Sequence, residues 1–173
     1  RLIGVENIVT TDVGGTSFDV GLVVDGEPLI SGTPVFDKYH TVLPVIDVAS
    51  IGSGGGSLAW IEPGTGLVKV GPQSAGASPG PACYGAGGTH PTVTDANLVL
   101  GRIDPEYFLG GTHHLEVDFA TRAIDEHIAD KCSLSVPEAA IAIIDIVDAQ
   151  MADLVRMSTI GRGYDPREFA LFA

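Results

Sequence analysis

The hydrophobic pattern of residues 7–34 has the period of strands. Ile8-Val9-Thr10 predicts a first strand over 7–11, Phe18-Asp19-Val20-Gly21-Leu22-Val23-Val24 a second over 18–24, and the run 27–34 a third. Asp25-Gly26 separates the second from the third, a residue pair that closes two-residue hairpins. The three strands form an antiparallel meander, apolar enough to be covered on both faces. Residues 42–46 are expected to be extended, because Pro44 opposes a helix interior. A second hairpin is predicted from 58–61 and 67–70, around Pro63-Gly64-Thr65-Gly66. Trp60 in its first strand reads as a packed aromatic.

Helical spacing begins only after residue 90. A short helix is predicted over 96–100, capped by Thr94 or Asp95 and ended by Gly101. A second, over 118–131, places Phe119, Ala123, Ile124 and Ile128 on one face. The longest opens at Ser135, with Pro137 in its first turn and Glu138 three residues after the cap. Ala140, Ile143, Ile144, Val147, Met151, Leu154 and Val155 form its apolar stripe, which Ile141 and Ile146 widen. Gly161-Arg162-Gly163 ends it, and 168–173 reads as a last strand. The expected organisation is one domain: a meander over 1–36, a Gly/Pro-rich insertion over 37–93, and helices with a terminal strand over 94–173.

Charge narrows the partners. Nine Lys and Arg stand against 22 Asp and Glu, a net charge of −13. Nucleic acid and anionic membranes are bound through basic residues, so neither is an expected partner. No apolar run reaches the length of a membrane span, and no leader is expected at the start of the chain. Cys83 and Cys132 are the only cysteines and form no metal or redox spacing, which suits a reducing cytoplasm. The acids of 104–153 read as a solvated face, and His113-His114 as an exposed pair. Arg156 is placed to serve a helix C-terminus, a phosphate or a partner.

The candidate chemistry lies between the first two strands. Gly14-Gly15-Thr16 is too short for a helix, and its glycines let main-chain amides approach a ligand. A row of such amides makes a concave anion site, to which Thr16 and Ser17 add hydroxyls. Asp12 and Asp19 flank the turn, and no Lys or Arg occurs between Arg1 and Lys38. A polyphosphate beside two carboxylates needs a hard cation between them, so amides plus a divalent metal are expected. A Gly-Gly hairpin with a capping Thr and a solvated Asp fits the same residues. Further along, Gly54, Gly55 and Gly56 suit either a flexible loop or a backbone-lined wall for substrate or phosphate. The long segment 71–90 is expected to lack regular structure. Within it Cys83 has no adjacent base and reads as a buried, inert thiol. His40, Asp47, His90 and Asp95 match no zinc spacing. Asp95 stands both as a helix cap and as a site candidate.

Asp12-Val-Gly-Gly-Thr-Ser-Phe-Asp-Val20 resembles a phosphate motif of the actin and hexokinase ATPase superfamily. Ser50-Ile-Gly-Ser-Gly-Gly-Gly-Ser57, the run from Val70 through Pro81-Ala-Cys-Tyr-Gly85, Gly87-Gly-Thr-His-Pro-Thr-Val-Thr-Asp-Ala-Asn97 and Gly101-Arg102 narrow the likeness. Together they resemble the hydantoinase A/5-oxoprolinase family, which includes N-methylhydantoinases, 5-oxoprolinases and the acetone carboxylase β-subunit. The resemblance implies an α/β fold: an RNase H-like, actin-like ATPase half-domain with a mixed sheet, packed helices and a Gly-rich insertion. It implies ATP and Mg²⁺, with Gly14, Gly15, Thr16 and Ser17 on phosphate and Asp12 orienting the metal through its waters. Asp19 would support that metal or position a water.

The implied reaction is ATP-dependent hydrolysis of a hydantoin or oxoproline-like ring through a phosphorylated intermediate. Carboxylation of a ketone, or a non-catalytic scaffold role, remains open. The implied partners are the rest of the chain and a B-type subunit or a second copy. The resemblance makes these 173 residues an internal piece. A first half with its own Asp-x-Gly-Gly-Thr precedes it and an adenosine motif follows Ala173. The isolated piece is expected to be inactive.

Overall fold

The computed structural model describes residues 4–31, 35–36, 39–40 and 43–173. In chain order the first strands are β1 (Ile8–Val13), β2 (Phe18–Val24), β3 (Glu27–Pro28), β4 (Ile30–Ser31), β5 (Val35–Phe36) and β6 (Tyr39–His40). There follow β7 (Val45–Ile46), β8 (Val48–Ile51), β9 (Ser57–Ile61) and β10 (Val68–Ser74). The helices are α1 (Val93–Val99), α2 (Val117–Ile124), α3 (Asp130–Cys132) and α4 (Val136–Ser158), and β11 (Ala170–Phe172) comes last. The chain divides into two compact units.

Unit 1 comprises Arg1–Asp12, Phe18–Ile51 and Ala152–Ala173. Its sheet runs β11-β1-β2-β3, with β8 also paired to β2. β11 is parallel to β1, while β3 and β8 are antiparallel to β2, so the sheet is mixed. Phe18, Val20 and Leu22 alternate into the core, as the period of two requires. Asp25 and Gly26 take positive φ of 53° and 77°, the left-handed pair of the tight hairpin turn expected there.

The third strand is not continuous. Ile30 and Ser31 leave β2 and pair with Ile46 and Val45 of β7. The β2 edge so freed is taken by β8, in register from Phe18↔Ile51 to Gly21↔Val48. β8 was not foreseen, because four residues beside a glycine run carry too little periodicity. The end of the expected third strand at 32–34, Val42 and the side chain of His40 lie outside the described residues. Arg162 pairs with Asp47, and Arg156 with Asp153, 2.5 Å away and exposed. Such exposed pairs contribute little stability.

Unit 2 comprises Val13–Ser17 and Gly52–Met151. β9 and β10 form the expected hairpin, pairing Ile61 with Val68 and Ala59 with Val70. Ala59 and Val70 pack with Val93 and Ala96 of α1, and with Ile124, Ile128, Ala140, Ile143, Ile144 and Val147. Trp60 is half-buried, its indole N–H donating to the Gly71 carbonyl at 2.9 Å, which is the packed role expected. α1 starts earlier than predicted. Thr92 is its N-cap, and Asp95 closes a reciprocal capping box with it, so neither Thr94 nor Asp95 is the cap itself. The expected helix over 118–131 is α2 and α3 joined by a π-helical turn, Asp125–Ala129. Phe119 leaves the predicted buried face and stands 42% exposed. The capping box of α4 forms as read, with Ser135 N and Oγ both donating to Glu138 at 2.8 and 2.6 Å. His113 is half-buried, not exposed, and meets the Tyr84 ring edge at 5.4 Å.

Candidate phosphate turn and its frame

Residues 13–17 form a tight turn closed by one internal bond, Gly14 N to Ser17 O at 2.9 Å. What holds it is the second glycine run. Gly55 N donates to Gly14 O at 3.0 Å, and Gly56 N to Gly15 O at 2.7 Å. The consequence follows from peptide geometry. In a trans peptide the carbonyl and the next N–H point in opposite directions. Two carbonyls anchored on the frame therefore aim Gly15 N–H and Thr16 N–H away from it. Among the described residues neither amide has a partner, and Gly15 and Thr16 are exposed. A Cβ built on Gly15 meets nothing within 4 Å.

The frame itself has no such vacancy. Gly54 N donates to Ser57 Oγ at 2.8 Å, and Ser57 N returns to Gly54 O at 3.0 Å. With Gly55 and Gly56 committed to the turn, every amide from Gly54 to Ser57 is used. A Cβ at Gly54 would lie 2.6 Å from Gly14 O and 2.7 Å from Thr16 N, so only glycine permits this approach. The carbonyl of Gly55 accepts from Thr94 N and Thr94 Oγ1, both at 2.8 Å. Ser53 Oγ donates to Gln150 Oε1 at 2.5 Å, and Gln150 Nε2 to Val70 O at 3.1 Å. Of the residues singled out in the sequence, the structure thus brings Gly14 and Gly15 together with Gly55 and Gly56. Ser53, Ser57 and Gln150 were not singled out, and Thr94 was read only as a helix cap, since polar residues spread over about a hundred positions leave no local pattern.

Asp95 is fully buried and accepts from four donors. Ala82 N and Cys83 N lie at 3.2 and 2.8 Å, and Thr92 N and Thr92 Oγ1 at 2.9 and 2.8 Å. Three main-chain N–H groups and one hydroxyl occupy its oxygens, so its observed role is structural. Cys83 is fully buried, and burial first, then the Asp95 charge, push its thiol well above the usual range. That is the inert thiol expected. Segment 71–90 is also more ordered than its composition suggests, with β10 reaching Ser74 and a 3₁₀ turn at Ala82–Tyr84.

Asp12, in β1, is exposed and has no partner among the described residues. Asp19, in β2, is half-buried with its Cα opposite Ser50. Among the described residues no group of three or more His, Cys, Asp or Glu side chains gathers around a common point. A divalent metal would therefore draw most ligands from phosphate and water, as Mg²⁺ does beside a nucleotide. By itself the turn offers neutral main-chain amides, and Asp12 is an exposed, hard carboxylate. No helix among the described residues is long and apolar enough to cross a membrane.

The chain has a mixed α/β fold that presents open main-chain amides on a glycine turn. It belongs to the hydantoinase/oxoprolinase family, whose model matches residues 1–173. It is 46% identical over 168 residues to the caprolactamase subunit alpha of Pseudomonas jessenii, covering 97% of this chain and 24% of that one. It is 45% identical over 172 residues to the acetophenone carboxylase gamma subunit of Aromatoleum aromaticum, covering 99% and 24%. A solved nucleotide-free acetone carboxylase matches with a TM-score of 0.93 at 37% identity, covering 99% of this chain and 24% of that one. The chain thus spans about a quarter of the length of these relatives.

Proposed function

We propose that this chain is the ATP-binding part of an ATP-dependent cyclic amidase of the hydantoinase/5-oxoprolinase type. The observation that carries the reading is the pair of outward amides at Gly15 and Thr16, fixed by carbonyls bonded to a second glycine loop. Preorganised donors of this kind bind a polyphosphate with little reorganisation, and phosphoryl transfer is mostly positioning and charge stabilisation. Gly15 and Thr16 donate to phosphate oxygens, and the Thr16 and Ser17 hydroxyls add to that set. Asp12, just before the turn in sequence, orients Mg²⁺ through its waters, and Asp19 supports that shell or positions a water. ATP, when bound, would supply the phosphoryl group that activates the amide oxygen, so that one water opens the C–N bond with the nitrogen leaving as the amine and a second water releases the phosphate. The surrounding fold is read as an RNase H-like half-domain, completed by the rest of the full-length chain and by a partner subunit.

The second reading is a ketone carboxylase, favoured by the 45% identity to an acetophenone carboxylase subunit. The phosphate turn serves both reactions, so the substrate decides between them. The test is ATP consumption by the full-length chain with its partner subunit, on hydantoins, 5-oxoproline and ketones with bicarbonate. Ring opening that stops with Asp12→Asn supports the amidase. Turnover of ketones alone moves the assignment to the carboxylase, and ring opening without ATP discards both.

A further inference from the structure

We infer that Thr94 is a positioning residue that sets the direction of the Thr16 amide through a series of peptide groups. The inference rests on the nucleotide reading only for the ligand; the relay itself is within unit 2. Thr94 N and Oγ1 both donate to the Gly55 carbonyl at 2.8 Å. That carbonyl shares its peptide plane with Gly56 N–H, which donates to Gly15 O at 2.7 Å. Gly15 O in turn shares its plane with Thr16 N–H, the open donor. Thr94, the 55–56 peptide and the 15–16 peptide therefore stand in one hydrogen-bonded line ending at the ligand face. Two consequences follow. Each planar unit passes its orientation to the next, and dipoles in series polarise one another, making the last N–H a better donor to an anion.

Gly55 itself offers no side chain that could take the place of Thr94, and a Cβ there would come within 2.9 Å of Thr94 Oγ1. Thr94 is itself fixed by its place in the first turn of α1, where Thr92 and Asp95 close the capping box. The doubled donor on Gly55 O has a purpose the capping box does not need. The carbonyl oxygen has two lone pairs, and the hydroxyl fills the one that the Thr94 N–H leaves, fixing the orientation of the 55–56 peptide from two sides.

The test uses the full-length chain with its partner subunit and compares Thr94→Val, Thr94→Ser and wild type. Val147→Ala, in the core of α4 and outside the line, controls for general destabilisation. Hydrogen exchange over residues 52–57 without nucleotide reads the relay, and calorimetry with Mg-ATP reads its effect. Thr94→Val should raise exchange at Gly55 and Gly56 and weaken Mg-ATP about five-fold, the worth of one hydrogen bond. Thr94→Ser should restore both, while Val147→Ala should lower Tm and change neither. Thr94→Val with wild-type exchange overturns the relay, as does Val147→Ala with the same losses. A wild-type chain that binds no Mg-ATP sinks the nucleotide reading, and the exchange difference then decides the relay alone.

Discussion

The loops at 14–17 and 52–57 are both built of glycine and small hydroxyl residues, but they spend their main-chain donors in opposite ways. From Gly54 to Ser57 each amide is bonded inside unit 2. In the turn, Gly14 N is bonded to Ser17 O, whereas Gly15 and Thr16 N–H have no partner among the described residues. Burial follows the same division, with Gly54, Gly56 and Ser57 buried and Gly14, Gly15 and Thr16 exposed. The difference teaches what glycine is for in each place. In the frame it permits backbone to approach backbone, and in the turn it leaves room for a ligand. A set of open amides is stable only because a closed set beside it takes up the carbonyls.

Substitutions at the Asp95 anchor, then in the frame, then in the turn, test this part of unit 2 in decreasing order of effect on stability. Asp95→Asn turns an acceptor of four bonds into a group with one acceptor and a misplaced donor, leaving buried N–H groups unpaired. It should cost about 3 kcal/mol, read from urea unfolding of the full-length chain; a cost below 1 kcal/mol would show that the carboxylate is not the anchor described. Gly54→Ala drives a Cβ into the 14–16 backbone and should cost about 2 kcal/mol while abolishing measurable Mg-ATP binding. An alanine variant that binds normally would mean the two loops need not touch. Gly15→Ala should leave stability within about 0.5 kcal/mol, as expected where nothing crowds the new atom. Its Mg-ATP affinity should nonetheless drop at least ten-fold, and unchanged affinity would remove the turn from the site.

The smallest effect is one of pH. Cys83 and Tyr84 both titrate above their ordinary values, chiefly through burial. For the thiol the folded value lies above the unfolded one, so its contribution is complete below the model-peptide value of 9.0 and is lost as pH rises past it. Urea midpoints should hold steady to pH 8.5 and then decline, with Cys83→Ala flattening the decline. Iodoacetamide at pH 8 should label half-buried Cys132 and spare Cys83 in the folded chain; equal labelling would mean that segment 80–85 opens readily.

Local chemistry was legible and long-range pairing was not. The Asp25-Gly26 turn and the Ser135–Glu138 box announce themselves, because their physics acts over two to four residues. The cap of α1 was misplaced by two or three positions, since Thr92, Thr94 and Asp95 all have cap chemistry and only the bond from Asp95 N to Thr92 Oγ1 decides. β8 escaped because it exists to complete an edge that β4 abandons, a fact no window around 48–51 contains. The turn at 14–16 was found from its glycines and flanking acids. Its frame was noticed as a glycine run, but not as the part that orients it. The bonds Gly55–Gly14 and Thr94–Gly55 join residues about forty apart, and side-chain pattern says nothing about which carbonyl meets which amide.

The four bonds on Asp95 carry a consequence for how this half of the chain assembles. Ala82 and Cys83 are fastened by a residue thirteen and twelve positions further along, which is also the one that completes the first turn of α1. The Pro81–Gly85 bend and the helix after it therefore have a shared lock. Neither can settle fully until the same carboxylate has reached both, which couples their ordering into a single cooperative event.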